Sequence, residues 1–273
     1  MHRVAVGIEY RGAAFAGWQT QQSLRTVQAE TEKALGEVAA HKINLICAGR
    51  TDAGVHAREQ IAHFETDARR TMRAWTLGAN TNLPADISLT WAMPVPAHFH
   101  ARYSAEARTY RYIIFNRGVR SALVGKSAAT VFQPLDRDRM AAASPLLLGK
   151  HDFSAFRSLQ CQSHSPVRRL TRLTVERAGE WLTIEATANA FLHHMMRNIA
   201  GLLIAVGKGE HPPDWAREVL ESRDRTRCAA TAHADGLYLW HVTYPVAFRL
   251  PGREVIDIGG RSAIIPRTVP LSD

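Results

Sequence analysis

Apolar residues in this chain recur with period two in some segments and with a helical period in others, and the two kinds of segment alternate along its length. That restricts the chain to a mixed α/β architecture, because a pattern of one period cannot bury its apolar face in the other conformation. Val4, Val6 and Ile8 share one face of a strand over residues 3–9. A glycine-rich turn from Arg11 to Gly17 precedes an amphipathic helix whose stripe is Val27, Ala34, Leu35 and Val38. Two strands flank a turn near residue 52, followed by a helix over Ala68 to Ala79, a break at Asn82, Leu83 and Pro84, and a strand from Ile87 to Met93.

Pro94 and Pro96 mark a boundary, so the expected division is an N-terminal α/β subdomain over 1–96 and a C-terminal one over 97–248. The second opens with a strand from Arg108 to Phe115, in which Arg108, Tyr110, Tyr112 and Ile114 share one face. A helix near Asp136 to Leu148 carries an awkward Pro145, strands follow at 172–177, 181–188 and 237–244, and a helix is expected from Ala190 to Val206. The expected fold is thus α+β: two related mixed subdomains sharing an extended, mainly antiparallel sheet, helices packed on it, and a central basic cleft. Residues 249–273 lack periodicity and read as an irregular tail.

A chain of 273 residues buries roughly 75% of its unfolded surface and needs no covalent staples. Its three cysteines, Cys47, Cys161 and Cys228, are odd in number and widely spaced, which fits a reducing cytoplasm better than a disulfide framework. No basic region followed by an apolar signal core is seen at Met1, and the longest apolar run, Ile199 to Val206, falls short of the roughly 20 residues that span a bilayer. No membrane association is expected. The net charge of +9 favours a polyanionic partner. Arginine far outnumbers lysine, and its planar fork suits phosphates and bases, although a coding bias would give the same excess.

The run CAGRTDAGVHA, Cys47 to Ala57, leaves the apolar segment Ile43 to Cys47 and places Asp52 on a turn between Gly49 and Gly54, both free to take backbone angles forbidden to other residues. On spacing alone such an acid more often bonds its own turn. The wider pattern changes that reading. IEYRGAAFAGWQ from Ile8, GRTDAGVHA from Gly49, FHARYSAEARTYRY from Phe99 and NAFLHHMMRNIAG from Asn189 together resemble the TruA family of tRNA pseudouridine synthases, in order and over most of residues 1–245.

The resemblance implies an isomerase that converts uridine to pseudouridine at positions 38, 39 and 40 of the tRNA anticodon stem-loop, acting as a homodimer without cofactor. Asp52 would be the catalytic carboxylate, as nucleophile or as base; Arg197 its charge partner, favouring the ionised form; and Arg50 the residue holding the nucleotide turned out of its stack. Tyr110 would stack on the displaced uracil, with Arg102, His193 and Gln19 as further substrate contacts and Leu237 on the apolar wall. Read alone, Tyr110 fits plain core better than a stacking platform, and Leu237 fits core at least as well as a site wall. In the expected helix, Phe191, Met195, Ile199, Leu202 and Val206 form the core stripe, with His193, His194, Arg197 and Gly201 opposite. Gly201 there would admit a second element. Arg11 and His193 depart from the family's frequent residues at their places.

Thirteen histidines invite a metal reading, notably His98 with His100 and His193 with His194. No acid stands at a ligand spacing such as HExxH, and adjacent helical side chains diverge by about 100°, so no metal is expected. Two other readings of the chain stay open: a catalytically silent RNA-binding module, and an Asp-dependent hydrolase of a small molecule.

Overall fold

A computed structural model of the chain describes residues 1–251, so most of the tail expected from 249 onward lies outside the described residues. The elements in chain order are β1 (His2–Tyr10), α1 (Val27–Ala39), β2 (Ile46–Cys47), β3 (His56–Thr66), α2 (Met72–Asn82), β4 (Ile87–Val95) and β5 (Ala107–Asn116). They continue with β6 (Ala129–Val131), α3 (Arg137–Ala143), β7 (Gly149–Asp152), β8 (Val167–Ala178), β9 (Trp181–Ala188), α4 (Met195–Gly207), α5 (Trp215–Ser222) and β10 (Leu237–Thr243).

Among the described residues ten strands form one open sheet in the order β4-β1-β3-β10-β5-β9-β8-β7, with β2 added to β3 and β6 to β5. Pairing is antiparallel except for β6 on β5 and for the seam where β10 lies parallel to β3, Tyr238 opposite His56 and Leu239 opposite Ala57. This is the extended, mainly antiparallel sheet expected from the sequence. On β5 the alternation holds: Tyr110, Tyr112 and Ile114 enter the main core, while Ile113 and Phe115 join a small second cluster with Ala128. β1 is buried on both faces rather than one, since Ala5 is enclosed and Gly7 lies under the indole of Trp91.

Helices close the core. α1 contributes Val27, Ala34 and Leu35, and α2 sets Trp75 edge-on against Phe64 of β3 at 5.1 Å. The helix expected over 136–148 is two pieces: Asp136 caps α3 by accepting from Asp138 and Arg139 N–H, and a 3-10 turn over Ser144–Leu147 takes over with Pro145 in its first turn, where no N–H is needed. The helix expected from Ala190 starts only at Met195, and β6, β7 and α5 had no counterpart in the sequence reading.

α4 is buried nearly all round, so its second face is not solvated. A Cβ on Gly201 would stand 2.1 Å from the carbonyl oxygen of Ala230, which confirms the close approach expected there. Alanine gains about 1 kcal/mol of helix propensity over glycine, but overpacking against fixed backbone costs about 1–3 kcal/mol and wins. Gly201→Ala is therefore expected to lower stability, read as a lower denaturant midpoint; an unchanged or higher midpoint would show that the 230–232 segment yields freely.

His63 of β3 is 2% exposed, and its Nδ1 accepts the Ala101 N–H at 3.1 Å. Burial, helped by the charges of Arg3 and His100, pushes its pKa down to about 4. Between about 6.5 and 4 the unfolded chain therefore binds the proton and the folded chain does not, so stability falls as pH drops through that window. Acidification from pH 7 to 4.5 should cost on the order of 1–2 kcal/mol at this residue alone. His63→Asn should lose less stability over that interval than the parent in paired denaturation curves; parallel losses would discount the histidine.

Candidate active site

The loop carrying Asp52 leaves β2 and enters β3, and it is fastened on every side. Trp18 N–H donates to Thr51 O at 3.0 Å, Gly54 N–H to Phe15 O at 3.3 Å, and Gly12 N–H to Nδ1 of His56 at 3.0 Å. The hydroxyls of Tyr10 and Thr51 meet at 2.8 Å in the core, and Gln60 Nε2 donates to Gly49 O at 2.6 Å. The first block, residues 8–19, is thus the clamp on the acid's loop. Gly54 has φ +80° and Val55 N–H closes the turn on Asp52 O at 3.1 Å. Gly49, by contrast, takes no left-handed angle; the atom nearest a Cβ there is the Tyr110 hydroxyl at 4.0 Å.

The Asp52 carboxylate, 27% exposed, therefore does not bond its own turn but faces the start of α4. His193 Nε2 lies 3.1 Å from Oδ1, His194 Nε2 lies 3.4 Å from Oδ2, and Arg197 Nη1 lies 3.9 Å from Oδ2. The two histidines are closer than the arginine expected as the partner. They precede the helix: His194 has φ 63°, and Met195 N–H closes a turn on Leu192 O at 3.0 Å. That left-handed residue breaks the helical progression, so the divergence of about 100° expected of adjacent helical side chains does not hold, and the ring centres lie 4.1 Å apart with their planes tilted by 37°. Burial holds the His194 pKa below its ordinary value against the pull of Asp52.

Arg197 is held from behind. Its Nε donates to Ala232 O at 2.8 Å and its carbonyl accepts Ala232 N–H at 3.1 Å, so the segment over Gly201 aims the guanidinium at Asp52. Tyr110 is buried, with its ring edge-on to Phe191 at 4.8 Å. Burial first, then the Asp52 charge, raises its pKa, so the phenol stays neutral. Phe191, expected on the helix stripe, thus packs on Tyr110 ahead of the helix.

Leu237 is buried opposite Tyr112, whereas Leu239 is the residue opposite Tyr110. Arg50 and Arg102 are exposed, the latter with its guanidinium 5.6 Å from the Tyr103 ring centre, and Gln19 is half-buried on the clamping loop. No hydrogen bond or ion pair among the described residues fixes the Arg50 or Gln19 side chain. The residue that sequence reasoning passed over is Arg108, which donates to four carbonyls: Ala48 at 2.9 Å, Arg102 at 2.7 Å, Ala105 at 3.1 Å and Asn189 at 3.0 Å. A charge on the otherwise apolar face of a strand was the available signal.

Asp52, His193 and His194 each offer one ligand atom, and these lie within 4.8 Å of one another. They are the residues that could hold a cation. The concavity lined by Leu146, His151, Asp152, Arg217, Leu220, Glu221 and Arg223 shares none of these side chains.

A family model described as tRNA pseudouridine synthase matches residues 7–104 and 143–245. The chain is 53% identical over 251 residues to a tRNA pseudouridine synthase A of Coxiella burnetii, covering 92% of this chain and 96% of that one. It is 54% identical over 255 residues to a protein of the same name from Methylococcus capsulatus, covering 93% and 94%. With one of Cronobacter sakazakii it shares 52% over 249 residues, covering 91% and 92%. The matched spans include the clamp, the Asp52 turn and the start of α4, and the chain belongs to the tRNA pseudouridine synthase family.

Proposed function

We propose that the chain isomerises uridine to pseudouridine in the anticodon stem-loop of tRNA, at positions 38, 39 and 40, with Asp52 as the reacting carboxylate. One observation carries this reading: a single part-exposed carboxylate lies where a clamped loop meets the basic start of α4, within reach of His193, His194 and Arg197. The relatives' shared name supports it.

The reaction breaks the bond between ribose C1′ and N1 and joins C1′ to C5, with the C5 proton leaving and N1 gaining one. An ionised carboxylate serves as nucleophile at C1′ or as base on the ribose. The base must first leave its stack, which costs roughly a few kcal/mol. Tyr110 and the apolar side chains beside it supply the surface on which the uracil lies, and the neutral phenol does so without abstracting a proton. Arg50, exposed on the Asp52 loop, holds the nucleotide turned out of its stack, and Arg102, also exposed, is a further substrate contact. Division of the chain near residue 96 into two subdomains, a homodimeric state and a cytoplasmic setting belong to the same proposal.

Asp52→Asn keeps the size of the side chain and removes its charge. Release of tritium from tRNA labelled at uracil C5 should fall by about 10³-fold or more, that is by roughly 4 kcal/mol of barrier, while tRNA affinity is retained. Residual turnover near the parent's would remove Asp52 from the chemistry.

Arg197→Lys keeps the charge but loses the fork that bonds Ala232 and reaches Asp52 together. Turnover should drop about 10- to 100-fold, or roughly 1.4–2.8 kcal/mol, with KM for tRNA little changed. A change confined to KM would make Arg197 a binding residue instead.

A further inference from the structure

We propose that Asp52, His193 and His194 form a site for a divalent transition-metal ion of the zinc class, and that the bound ion blocks the carboxylate. In a tetrahedral site with metal–ligand distances of 2.0–2.2 Å, neighbouring ligand atoms stand roughly 3.3 Å apart. The two imidazole nitrogens already lie 3.1 and 3.4 Å from the Asp52 oxygens. These contacts are to different carboxylate oxygens and the three ligand atoms lie within 4.8 Å of one another, so side-chain rotation is needed to bring all three onto one ion.

The donor set is two imidazoles and one carboxylate, which suits zinc, nickel or copper and not magnesium, whose preference is for oxygen alone. The side chains are 34%, 27% and 27% exposed for His193, His194 and Asp52, so an ion has a path from solvent and water can complete its coordination. His194 holds a left-handed angle that costs a non-glycine residue about 1–2 kcal/mol, and that angle turns its ring beside the ring of His193. Other close histidines lack this arrangement. His63 approaches His100 at 4.9 Å between ring centres, but its Nδ1 is committed to Ala101 N–H and Nδ1 of His100 to Arg102 and Tyr103 N–H. His211 lies flat on Trp215.

Arg197, 3.9 Å from Asp52, opposes a second cation. Binding is therefore weaker than at a structural zinc site and reversible by chelators. Metal binding is independent of the proposed reaction; the block it causes rests on Asp52 being the reacting carboxylate.

Calorimetric titration of the full chain with zinc chloride, without RNA, should show one site per chain. Asp52→Asn, His193→Gln and His194→Asn should each weaken it at least tenfold, asparagine being chosen because it tolerates the left-handed angle. Cobalt(II) in place of zinc should give the visible absorption of a low-coordinate nitrogen and oxygen site, lost in the same variants. Zinc should stop tritium release from tRNA, with recovery on adding EDTA. Equal zinc affinity in the parent and in the His193→Gln, His194→Asn double variant would overturn the site. Zinc bound at these residues without slowing release would leave the site standing and count against Asp52 as the reacting group.

Discussion

The joining of the Asp52 loop to the segments around it depends on one half-buried cation that never touches the carboxylate. Arg108 sits at the start of β5 and donates to carbonyls from the Asp52 loop, from the 99–105 turn and from Asn189 ahead of α4. Two of the four blocks that mark the sequence, and Ala48 just ahead of a third, are thus drawn to a single guanidinium. Hydrogen bonds from charged donors contribute roughly 1.5–3 kcal/mol each, which offsets the desolvation that pushes the Arg108 pKa down. Only a planar fork with several N–H groups spans such spread carbonyls; a lysine ammonium would satisfy fewer and leave the rest without partners. The position of the carboxylate relative to α4 is therefore set by backbone hydrogen bonds, independently of any attraction between Asp52 and Arg197.

That independence matters for the electrostatics. An ion pair at 3.9 Å is too long to orient a carboxylate by hydrogen bonding. The two histidines stand closer, one beside each carboxylate oxygen at 3.1 and 3.4 Å. Arg197 acts at longer range, as a fixed positive charge held by its bond to Ala232. A site built this way keeps one cation that cannot lose its proton beside two groups that can, with burial biasing His194 toward the neutral form.

Period and alternation made most of the sheet and α1 legible, because β1, β5 and β9 bury alternate or continuous apolar residues and α1 carries a clear stripe. Three kinds of feature were not. Strands of three or four residues such as β6 and β7 contain too few positions to show a period. The start of α4 was misplaced because a left-handed histidine leaves no trace in hydrophobic spacing, and with it went the true positions of Phe191, His193 and His194. Arg108 was placed on the correct face, but its partners are all carbonyls, and no side-chain pattern announces a backbone acceptor.

The remaining constraint is register. Ala57, at the entry to β3, lies opposite Leu239 of β10, which lies opposite Tyr110 of β5, which lies opposite Ala186 of β9. One row across the sheet thus joins the end of the Asp52 loop to Tyr110 through a leucine. A slip of one residue between β10 and β5 would send Tyr110 to the other face, since side chains alternate with period two. The register does shift between Leu239 and His241, which leaves Trp240 as the extra residue of a bulge. Its indole is held between the guanidiniums of Arg58 and Arg111, at 4.7 and 4.1 Å from the ring centre. Each such contact contributes about 0.5–1 kcal/mol at an exposed site, enough together to favour this bulge over neighbouring registers. The cation–π clamp on one face thus specifies which tyrosine stands beside the carboxylate on the other.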